Sequence, residues 1–289
     1  MSHLMVTCRL IVDEPAEGAW NMAVDDVLLS AAAERGEAAL RFYGWAEPTL
    51  SLGYFQAIES RQRHAPSGAC PVVRRASGGG AILHDRELTY SLALPNAYCP
   101  QRNHGELYAV VHDLLCEALA TLGVVGARRY ATELWEANPF AEESPSALGR
   151  RKDSPPTATT GTAESEPFLC FERRTEHDVV LSAPDSPQCF AKIAGSKIAG
   201  SAQRKRRGAV LQHGSVLLAR SQFAPSLPGI EDVAGVQMSA PQLVAAWIPL
   251  LSEGLGLRLV ADRHSPGDLA DAQRATTDKF AAESWLRRR

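Results

Sequence analysis

The sequence predicts an α/β fold in which helices flank a mixed β-sheet. Three observations indicate it: short β-type runs in close succession, long segments with helical periodicity, and a globular composition of 45% hydrophobic and 22% charged residues. With 289 residues, the chain has room for one large domain or two domains of about 150 residues each. We expect one domain over residues 1–289, because strand-like sequence resumes on both sides of its one apolar-poor segment.

The first half of the chain predicts two helices among closely spaced strands. Residues 5–12 predict a strand, and apolar side chains from Trp20 to Ala31 recur at the spacing of a helix that covers a sheet. Five β-type runs follow, at 40–45, 49–54, 71–75, 81–83 and 87–94. Their close spacing favours largely antiparallel pairing, because parallel neighbours need long crossovers. Residues 105–122 carry apolar side chains on one face and predict a second helix.

The second half opens with a segment that cannot bury a core. Between Asn138 and Glu166 the large apolar residues are only Phe140 and Leu148. Such a segment cannot offset its ordering entropy, so we expect a mobile insertion over 138–166. Strand-like runs then resume at 168–171, 178–181, 189–194, 197–203 and 209–218. A helix over 239–254 with Ser239 as N-cap, a strand over 257–260 and a helix starting at Ser265 and Pro266 complete the prediction.

Charge and hydropathy exclude several classes of function. The formal net charge is −3, so no global basic field holds nucleic acid. No apolar run approaches the ~20 residues of a membrane span. Cys8, Arg9 and Asp13 interrupt the apolar stretch that a signal peptide needs. We therefore expect a cytoplasmic protein whose six cysteines are mostly free thiols, and their scattered positions give no support to a metal site.

A triple glycine preceded by two arginines is the first candidate site motif. The chain reads Arg74, Arg75, Ala76, Ser77, Gly78, Gly79, Gly80, and an apolar run then leads to His84. Glycines let backbone N–H groups approach an acyl or phosphate oxygen closely, although a plain hairpin turn has the same composition. The surrounding sequence lacks the features of a Walker loop and of a Rossmann fingerprint, which excludes those nucleotide folds.

A lysine among small residues is the second candidate motif. Lys197 is followed by Gly200, Ser201 and Ala202, and the next strand-like run carries His213 and Gly214. The small residues permit close backbone approach, and the lysine can polarise a carbonyl or hold an acidic group. Read alone, the same residues also fit a surface strand. The pentapeptide KIAGS occurs twice in tandem, at 192–196 and 197–201, so Lys192 competes with Lys197 for the site.

The chain carries four motifs whose sequences and order resemble those of the lipoate-protein ligase A and octanoyltransferase superfamily. They are NMAVDD (21–26), RRASGGGAILHDRELTYSL (74–92), KIAGSAQ (197–203) and LQHGSVLL (211–218). The resemblance covers most of the chain outside 138–166. It implies the biotin/lipoate protein ligase catalytic-domain fold and an acyl or lipoyl group bound between the two motifs. The binding residues would be Arg74, Arg75, Ser77, Gly78, Gly79, Gly80, His84, Gly200, Ser201, Ala202, His213 and Gly214.

Within this superfamily, the branch that transfers octanoyl groups to glycine-cleavage H protein resembles the chain more closely than the ATP-dependent ligases do. The chain shares its ELTYS (87–91), LQHGS (211–215) and a Cys170-Phe171-Glu172 triplet, and KFAAESW (279–285) looks like its C-terminus, without the accessory domain of larger ligases. This resemblance implies transfer from octanoyl-acyl carrier protein through a thioester on Cys170. The acceptor would be a lysine of a lipoyl-domain protein, either H protein or a 2-oxoacid dehydrogenase E2. No cofactor is required, because the incoming thioester is already activated.

Lys197 has two expected tasks in this chemistry. A thiolate is the attacking species, and a free cysteine is only a few per cent ionised at neutral pH, so it needs a cationic neighbour. Lys197 supplies that charge and then polarises the thioester carbonyl. We expect backbone N–H groups near residues 200–202 to complete the oxyanion site. Only the second KIAGS copy continues with the family spacing, so Lys197 is assigned ahead of Lys192.

Other functions and roles fit the same residues. An ATP-dependent lipoate-protein ligase would use ATP and Mg, hold lipoyl-AMP with Lys197 and leave Cys170 incidental, and a non-catalytic member would act as a sensor. Cys189, within an apparent insertion at 182–191, is the second candidate nucleophile. His84 and His213 are either structural or in contact with the acyl pocket. The basic run 204–207 is either a solvated turn or a docking patch for acyl carrier protein. Three tryptophans are expected in the core: Trp20, Trp45 and Trp247.

Overall fold

Two β-sheets of unequal size organise the described part of the chain, residues 5–98, 104–130, 167–182 and 195–288 of a computed structural model. The strands are β1 (Val6–Val12), β2 (Ala38–Tyr43), β3 (Thr49–Leu52), β4 (Val72–Arg74), β5 (Ile82–His84), β6 (Glu87–Pro95), β7 (Ala127–Arg129), β8 (Val179–Leu181), β9 (Ser196–Arg206), β10 (Ala209–Leu217) and β11 (Leu257–Ala261). The helices are α1 (Gly18–Glu34), α2 (His104–Thr121), α3 (Ile230–Ala234), α4 (Ala240–Gly254), α5 (Pro266–Ala275) and α6 (Glu283–Leu286).

The large sheet is mixed, as predicted. Its order is β11-β1-β2-β6-β10-β9-β8-β7. β1 runs parallel to both β11 and β2, and the pairs from β2 to β7 are antiparallel. A small sheet of order β4-β3-β5 holds β3 parallel to β4 and antiparallel to β5. The parallel β3–β4 pair departs from the expectation of antiparallel pairing, because the connection from Gly53 to Pro71 is long enough to return the chain to the same end.

Alternation along the central strands gives the large sheet two buried faces. Leu40 and Phe42 of β2 face α2 and α4, where the Trp247 ring lies 5.9 Å from the Phe42 ring. Ala39 points to the opposite face, where it packs in a cluster with Val24 of α1. β6 and β10 are buried along their whole length. The sheet is therefore enclosed between two helical layers, which confirms the predicted fold class.

Most predicted elements are present with small shifts at their ends. Ser239 caps α4 by accepting a hydrogen bond from the Gln242 N–H, and Ser265 caps α5 in the same way through the Asp268 N–H. The strand predicted at 168–171 is wrong. Leu169 makes one isolated parallel bridge to Ala81, and Cys170–Glu172 then forms a 3₁₀ turn.

Several predictions fall outside the described residues. These are the insertion at 138–166, the strand at 189–194, and the side chains of Cys189 and Lys192. In the part of the chain that is described, no helix combines the length and the apolar character needed to cross a bilayer. The four cysteines of that part, Cys8, Cys70, Cys116 and Cys170, are free thiols.

Candidate active site

The glycine-rich motif connects β4 to β5 of the small sheet. Gly79 has a φ of +97°, a conformation that disfavours any residue with a Cβ. The buried Arg75 guanidinium donates to the Ser51 carbonyl at 2.8 Å and to the Gly80 carbonyl at 2.8 Å. Burial lowers the pKa of Arg75 to about 10. The loop is thus held by hydrogen bonds to an arginine of its own motif.

Cys170 is attached to the end of this loop by backbone hydrogen bonds. Its N–H donates to the Ala81 carbonyl at 2.7 Å, and the Ala81 N–H donates to the Phe168 carbonyl at 3.1 Å. The 3₁₀ turn that follows leaves the Cys170 side chain partly exposed and on the wall of a cavity. The isolated bridge therefore fixes the thiol beside the glycine loop, although the two motifs are far apart in the sequence.

Lys197 approaches Cys170 from β9. Its Nζ lies 3.7 Å from Sγ and 3.3 Å from the carbonyl oxygen of Cys170. The same Nζ forms an ion pair at 2.8 Å with Oδ2 of Asp178, and both side chains are buried. A buried carboxylate at this distance stabilises the ammonium form of the lysine. Cys170, Lys197 and Asp178 thus form a row of thiol, cation and anion.

Asp178 is itself held in place by neutral donors. Tyr108 of α2 donates its hydroxyl to Oδ1 at 2.9 Å, and Oδ2 accepts from the Thr175 N–H at 2.7 Å. Neither Asp178 nor Tyr108 was predicted from the sequence as a site residue. The one available signal was an acidic residue directly before the apolar strand β8, and such a residue is ordinary at a strand end.

A cavity opens beside the thiol. Its lining contains ten of the predicted site residues: Arg75, Gly78, Gly79, His84, Cys170, Gly200, Ser201, Ala202, His213 and Gly214. Sequence reasoning missed seven others: Met22, Tyr43, Trp45, Ile82, Thr89, Phe171 and Ser215. Glycine is required at Gly214, because a Cβ there would lie 2.3 Å from the Ser201 hydroxyl oxygen. Apolar side chains dominate the missed part of the lining.

Trp45 is a wall of this cavity rather than only a core residue, which corrects the expectation. Its ring stacks on the His84 imidazole with centroids 3.8 Å apart, and its Nε1 donates to the Thr89 hydroxyl at 2.9 Å. Trp247 lies in the core as expected, fully buried against Phe42.

Both predicted histidines lie between a hydroxyl and a carboxylate. His84 Nδ1 lies 2.6 Å from Glu87 Oε1, and its Nε2 lies 2.7 Å from the Ser51 hydroxyl oxygen. His213 Nε2 lies 2.5 Å from the Ser77 hydroxyl oxygen. Two separate hydroxyl–imidazole–carboxylate chains therefore reach the cavity, the second ending at Asp25.

Ser201 joins the cavity to the groups around Lys197. Its N–H donates to the Tyr108 hydroxyl at 2.8 Å, and its hydroxyl oxygen lies 2.7 Å from His112 Nε2. The expectation that backbone N–H groups of residues 200–202 complete an oxyanion site therefore fails for Ser201, because its N–H already has an acceptor.

Four predicted site residues lie outside the cavity lining. Arg74 is fully buried and donates to backbone carbonyls, including those of Gly53 at 3.0 Å and Leu286 at 2.5 Å. It ties the loop after β3 to the end of the chain, which corrects the expectation that it binds substrate. Ser77 and Gly80 adjoin the lining through His213 and Arg75, and Lys197 reaches Cys170 from a neighbouring open groove.

The described residues contain no cluster of three or more histidine, cysteine, aspartate or glutamate side chains that could hold a metal ion. The chemistry available at this site consists instead of a thiol, a paired ammonium group and two imidazoles around an apolar cavity. Such a set can form and break an acyl thioester.

Comparison with known proteins identifies the family. The pattern described as the lipoyl protein ligase A/B catalytic domain matches residues 17–227. A protein of Kyrpidia tusciae named octanoyltransferase LipM is 31% identical, with 97% of this chain and 98% of the relative covered. The chain belongs to the lipoyl protein ligase A/B family. A second relative in this family, octanoyltransferase LipM of Staphylococcus aureus, is 27% identical over 93% of this chain and 94% of its own.

Solved structures of the family share the fold. The bipartite lipoate protein ligase of Thermoplasma acidophilum, described together with its E2 lipoyl domain, aligns with a TM-score of 0.68 at 18% identity over 98% of this chain and 96% of its own. A lipoate-protein ligase A with bound ATP aligns with a TM-score of 0.67 at 20% identity, over 98% of this chain and 99% of its own. At these identities the likeness establishes the architecture.

Proposed function

We propose that this chain is an octanoyltransferase of protein lipoylation, moving an octanoyl group from octanoyl-acyl carrier protein through a thioester on Cys170 to a carrier-protein lysine. The observation that carries the proposal is the 3.7 Å approach of the Lys197 ammonium to the Cys170 thiol at the wall of an apolar cavity. The near full-length similarity to proteins named octanoyltransferase supports the same activity.

The first half-reaction forms the acyl-enzyme. The Cys170 thiolate attacks the carbonyl carbon of the donor thioester, and the carbonyl electron pair moves onto oxygen. Lys197 stabilises the thiolate before attack and the negative oxygen after it. When that electron pair returns, the bond to the pantetheine sulfur breaks and the donor leaves as a thiolate, which takes a proton from solvent. The octanoyl chain then occupies the cavity lined by Trp45, Ile82 and Phe171.

The second half-reaction is aminolysis of octanoyl-Cys170 by the acceptor lysine. Since the donor arrives as a thioester, neither half-reaction consumes ATP. The residue that would discriminate this route from a ligase is Cys170, because an adenylate mechanism gives the thiol no task. The acceptor is a lipoyl-domain protein, either H protein or an E2 component. The free thiols of the described region fit a cytoplasmic setting.

The donor docks at a basic and aromatic rim of the cavity. Arg204, Lys205, Arg206 and Arg207 are exposed at the hairpin between β9 and β10, and Arg206 also donates to the Ser30 hydroxyl of α1 at 2.5 Å. The guanidinium of Arg204 lies 5.6 Å from the centroid of the Tyr54 ring. Acyl carrier proteins are acidic, so exposed arginines at this place favour their approach.

Two further residues contact Tyr54 and extend this rim. The Arg288 guanidinium lies 4.8 Å from the Tyr54 centroid, and Phe55, which is 81% exposed, packs edge-on against the same ring. Phe55 also lies against Gly78, whose backbone lines the cavity. An apolar side chain flanked by cations beside a cavity mouth suits a carrier that delivers an acyl chain on a phosphate-linked arm.

Transfer of a labelled octanoyl group tests the proposal. The protein is incubated with octanoyl-acyl carrier protein and a lipoyl-domain acceptor, with and without ATP, and the acceptor mass is measured. Octanoylation of one acceptor lysine without ATP is expected. Modification only with free lipoate, ATP and Mg would establish the ligase instead, and binding of the donor without transfer would establish a sensor.

A further inference from the structure

The proposed aminolysis needs a proton acceptor that the thiol and the lysine do not provide. The acceptor lysine carries an ammonium group at neutral pH, and its nitrogen has no free electron pair until one proton leaves. Lys197 cannot take this proton, because its own ammonium is paired with the buried Asp178 carboxylate at 2.8 Å. Two other titratable groups that line the cavity, His84 and His213, are the candidates.

His84 is poorly suited to receive a proton. Trp45 stacks on one face of its ring, with centroids 3.8 Å apart. Burial lowers the pKa of His84 despite the Glu87 carboxylate. The ring is 2% exposed, so an incoming amine finds little of it accessible.

His213 is more open to the cavity and is held by an ionised carboxylate. It is 7% exposed, and its Nδ1 lies 3.5 Å from Oδ2 of Asp25. Burial raises the pKa of Asp25, but the His213 contact and the Arg41 charge outweigh burial and hold it below its ordinary value. An ionised carboxylate only accepts hydrogen bonds, so Nδ1 carries the hydrogen and Nε2 is the acceptor, facing the Ser77 hydroxyl at 2.5 Å.

We propose that His213 is the general base of the aminolysis, with Asp25 and Ser77 as positioning residues. This inference rests on the proposed function. It also assigns chemistry to three of the sequence motifs at once, because Asp25 lies in NMAVDD, Ser77 in RRASGGG and His213 in LQHGS. These residues are up to 188 positions apart in the chain, yet one hydrogen bond and one 3.5 Å contact between charged groups bring them into one row.

The aminolysis removes two protons from the acceptor nitrogen, one before and one after it attacks. As the Ser77 hydroxyl turns away, the acceptor ammonium donates one proton to His213 Nε2. The freed nitrogen attacks the octanoyl carbonyl carbon, a C–N bond forms, and the carbonyl electron pair moves onto oxygen. When that pair returns, the C–S bond breaks, and the departing Cys170 thiolate takes the second proton from nitrogen. The imidazolium, stabilised by Asp25, releases its proton to solvent.

Separate measurement of the two half-reactions tests this role. Octanoyl-enzyme is prepared from octanoyl-acyl carrier protein with the wild type and with His213→Gln, and its decay is followed after adding the lipoyl-domain acceptor or hydroxylamine. We expect His213→Gln to form the acyl-enzyme at nearly the wild-type rate and to transfer it to lysine ~10²-fold or more slowly. Hydroxylamine should cleave both acyl-enzymes equally, because it is a neutral nucleophile near pH 7 and needs no base.

A matched histidine provides the control. His264 Nε2 also contacts a carboxylate, Asp13 at 2.8 Å, but His264 does not line the cavity. His264→Gln should therefore transfer like the wild type, and Asp25→Asn should share the selective loss of His213→Gln.

Three outcomes overturn the inference. Unimpaired transfer by His213→Gln contradicts the assignment of His213 as the base and leaves the proposed function intact. Equal slowing of acylation and transfer shows that His213 has a structural role. A wild-type protein that acquires no octanoyl group contradicts the proposed function itself, and the base is lost with it.

Discussion

The ammonium of Lys197 and the carboxylate of Asp178 form a buried ion pair at 2.8 Å, directly behind the Cys170 thiol. Removing one partner of such a pair leaves an uncompensated buried charge, whereas retaining both fixes the lysine as a cation. Asp178 is therefore expected to control the position and charge of Lys197 without contacting the substrate.

Asp178→Asn should slow formation of the octanoyl-enzyme by ~10-fold or more, because the amide no longer holds the ammonium against the thiol. The measurement is single-turnover acylation followed by intact mass. Asp232→Asn is the matched control, since Asp232 also pairs with a basic side chain, Arg220 at 3.2 Å, on the exposed surface. Wild-type acylation in Asp178→Asn would show that the ion pair has no part in thiol activation.

Lys197→Ala should suppress acylation by ~10² or more, the scale expected for loss of an oxyanion-stabilising group. It should also slow alkylation of Cys170 by iodoacetamide at neutral pH, because the thiolate loses its neighbouring cation. Lys279→Ala is the control, since Lys279 also pairs with a carboxylate, that of Asp26, at 3.1 Å.

The tandem repeat makes Lys192→Ala an informative companion. Its position lies outside the described residues, and we expect it to retain nearly full activity. If Lys192→Ala lost activity and Lys197→Ala did not, the lysine of the first KIAGS copy would be the one that activates the thiol.

Reversing charge at the cavity rim should weaken docking of the donor. Arg204→Glu with Arg288→Glu is expected to raise the apparent KM for octanoyl-acyl carrier protein severalfold at low salt, with a smaller effect as salt screens the interaction. Arg258→Glu, on the edge strand β11 at the other end of the sheet, should leave KM unchanged. A loss that is independent of salt would argue against electrostatic docking.

His112 should make the protein less stable in mild acid. Burial lowers its pKa to about 4, its Nδ1 donates to the His177 carbonyl at 2.7 Å, and in the unfolded chain the imidazole has its ordinary pKa of 6.5. Between these values the unfolded state binds more protons, so stability is lost as the pH falls. Between pH 7 and pH 5 this loss is about 2 kcal/mol of unfolding free energy. Urea denaturation of wild type and His112→Gln should show the smaller pH dependence in the variant.

The fold was predictable where periodicity extends over many residues. The apolar spacing in α1 and α2 and the strand-like runs of β6 and β10 identified the elements that enclose the core. The prediction failed at Phe168 to Phe171, because a short apolar run has the same composition in a strand and in a turn that buries two aromatic rings. The short helices α3 and α6 were missed since one turn carries no periodic signal.

The site was predictable only as separate motifs. Sequence order and resemblance selected Cys170, Lys197 and the glycine loop, but the ion pair with Asp178 depends on the pairing of β8 with β9, which no local pattern specifies. Arg74 was wrongly predicted to bind substrate together with Arg75. Two adjacent arginines in an extended strand point to opposite sides, so only Arg75 faces the cavity.

The mass of the intact protein after mixing with octanoyl-acyl carrier protein tests the central claim most directly. Without ATP, the wild type should gain one octanoyl group that hydroxylamine removes, because a thioester is labile to that nucleophile. Cys170→Ala should gain none, while Cys116→Ala and Cys189→Ala should be acylated like the wild type. An adduct that persists in Cys170→Ala and disappears in Cys189→Ala, or that forms only when ATP is added, would contradict the assignment of Cys170 as the acyl carrier.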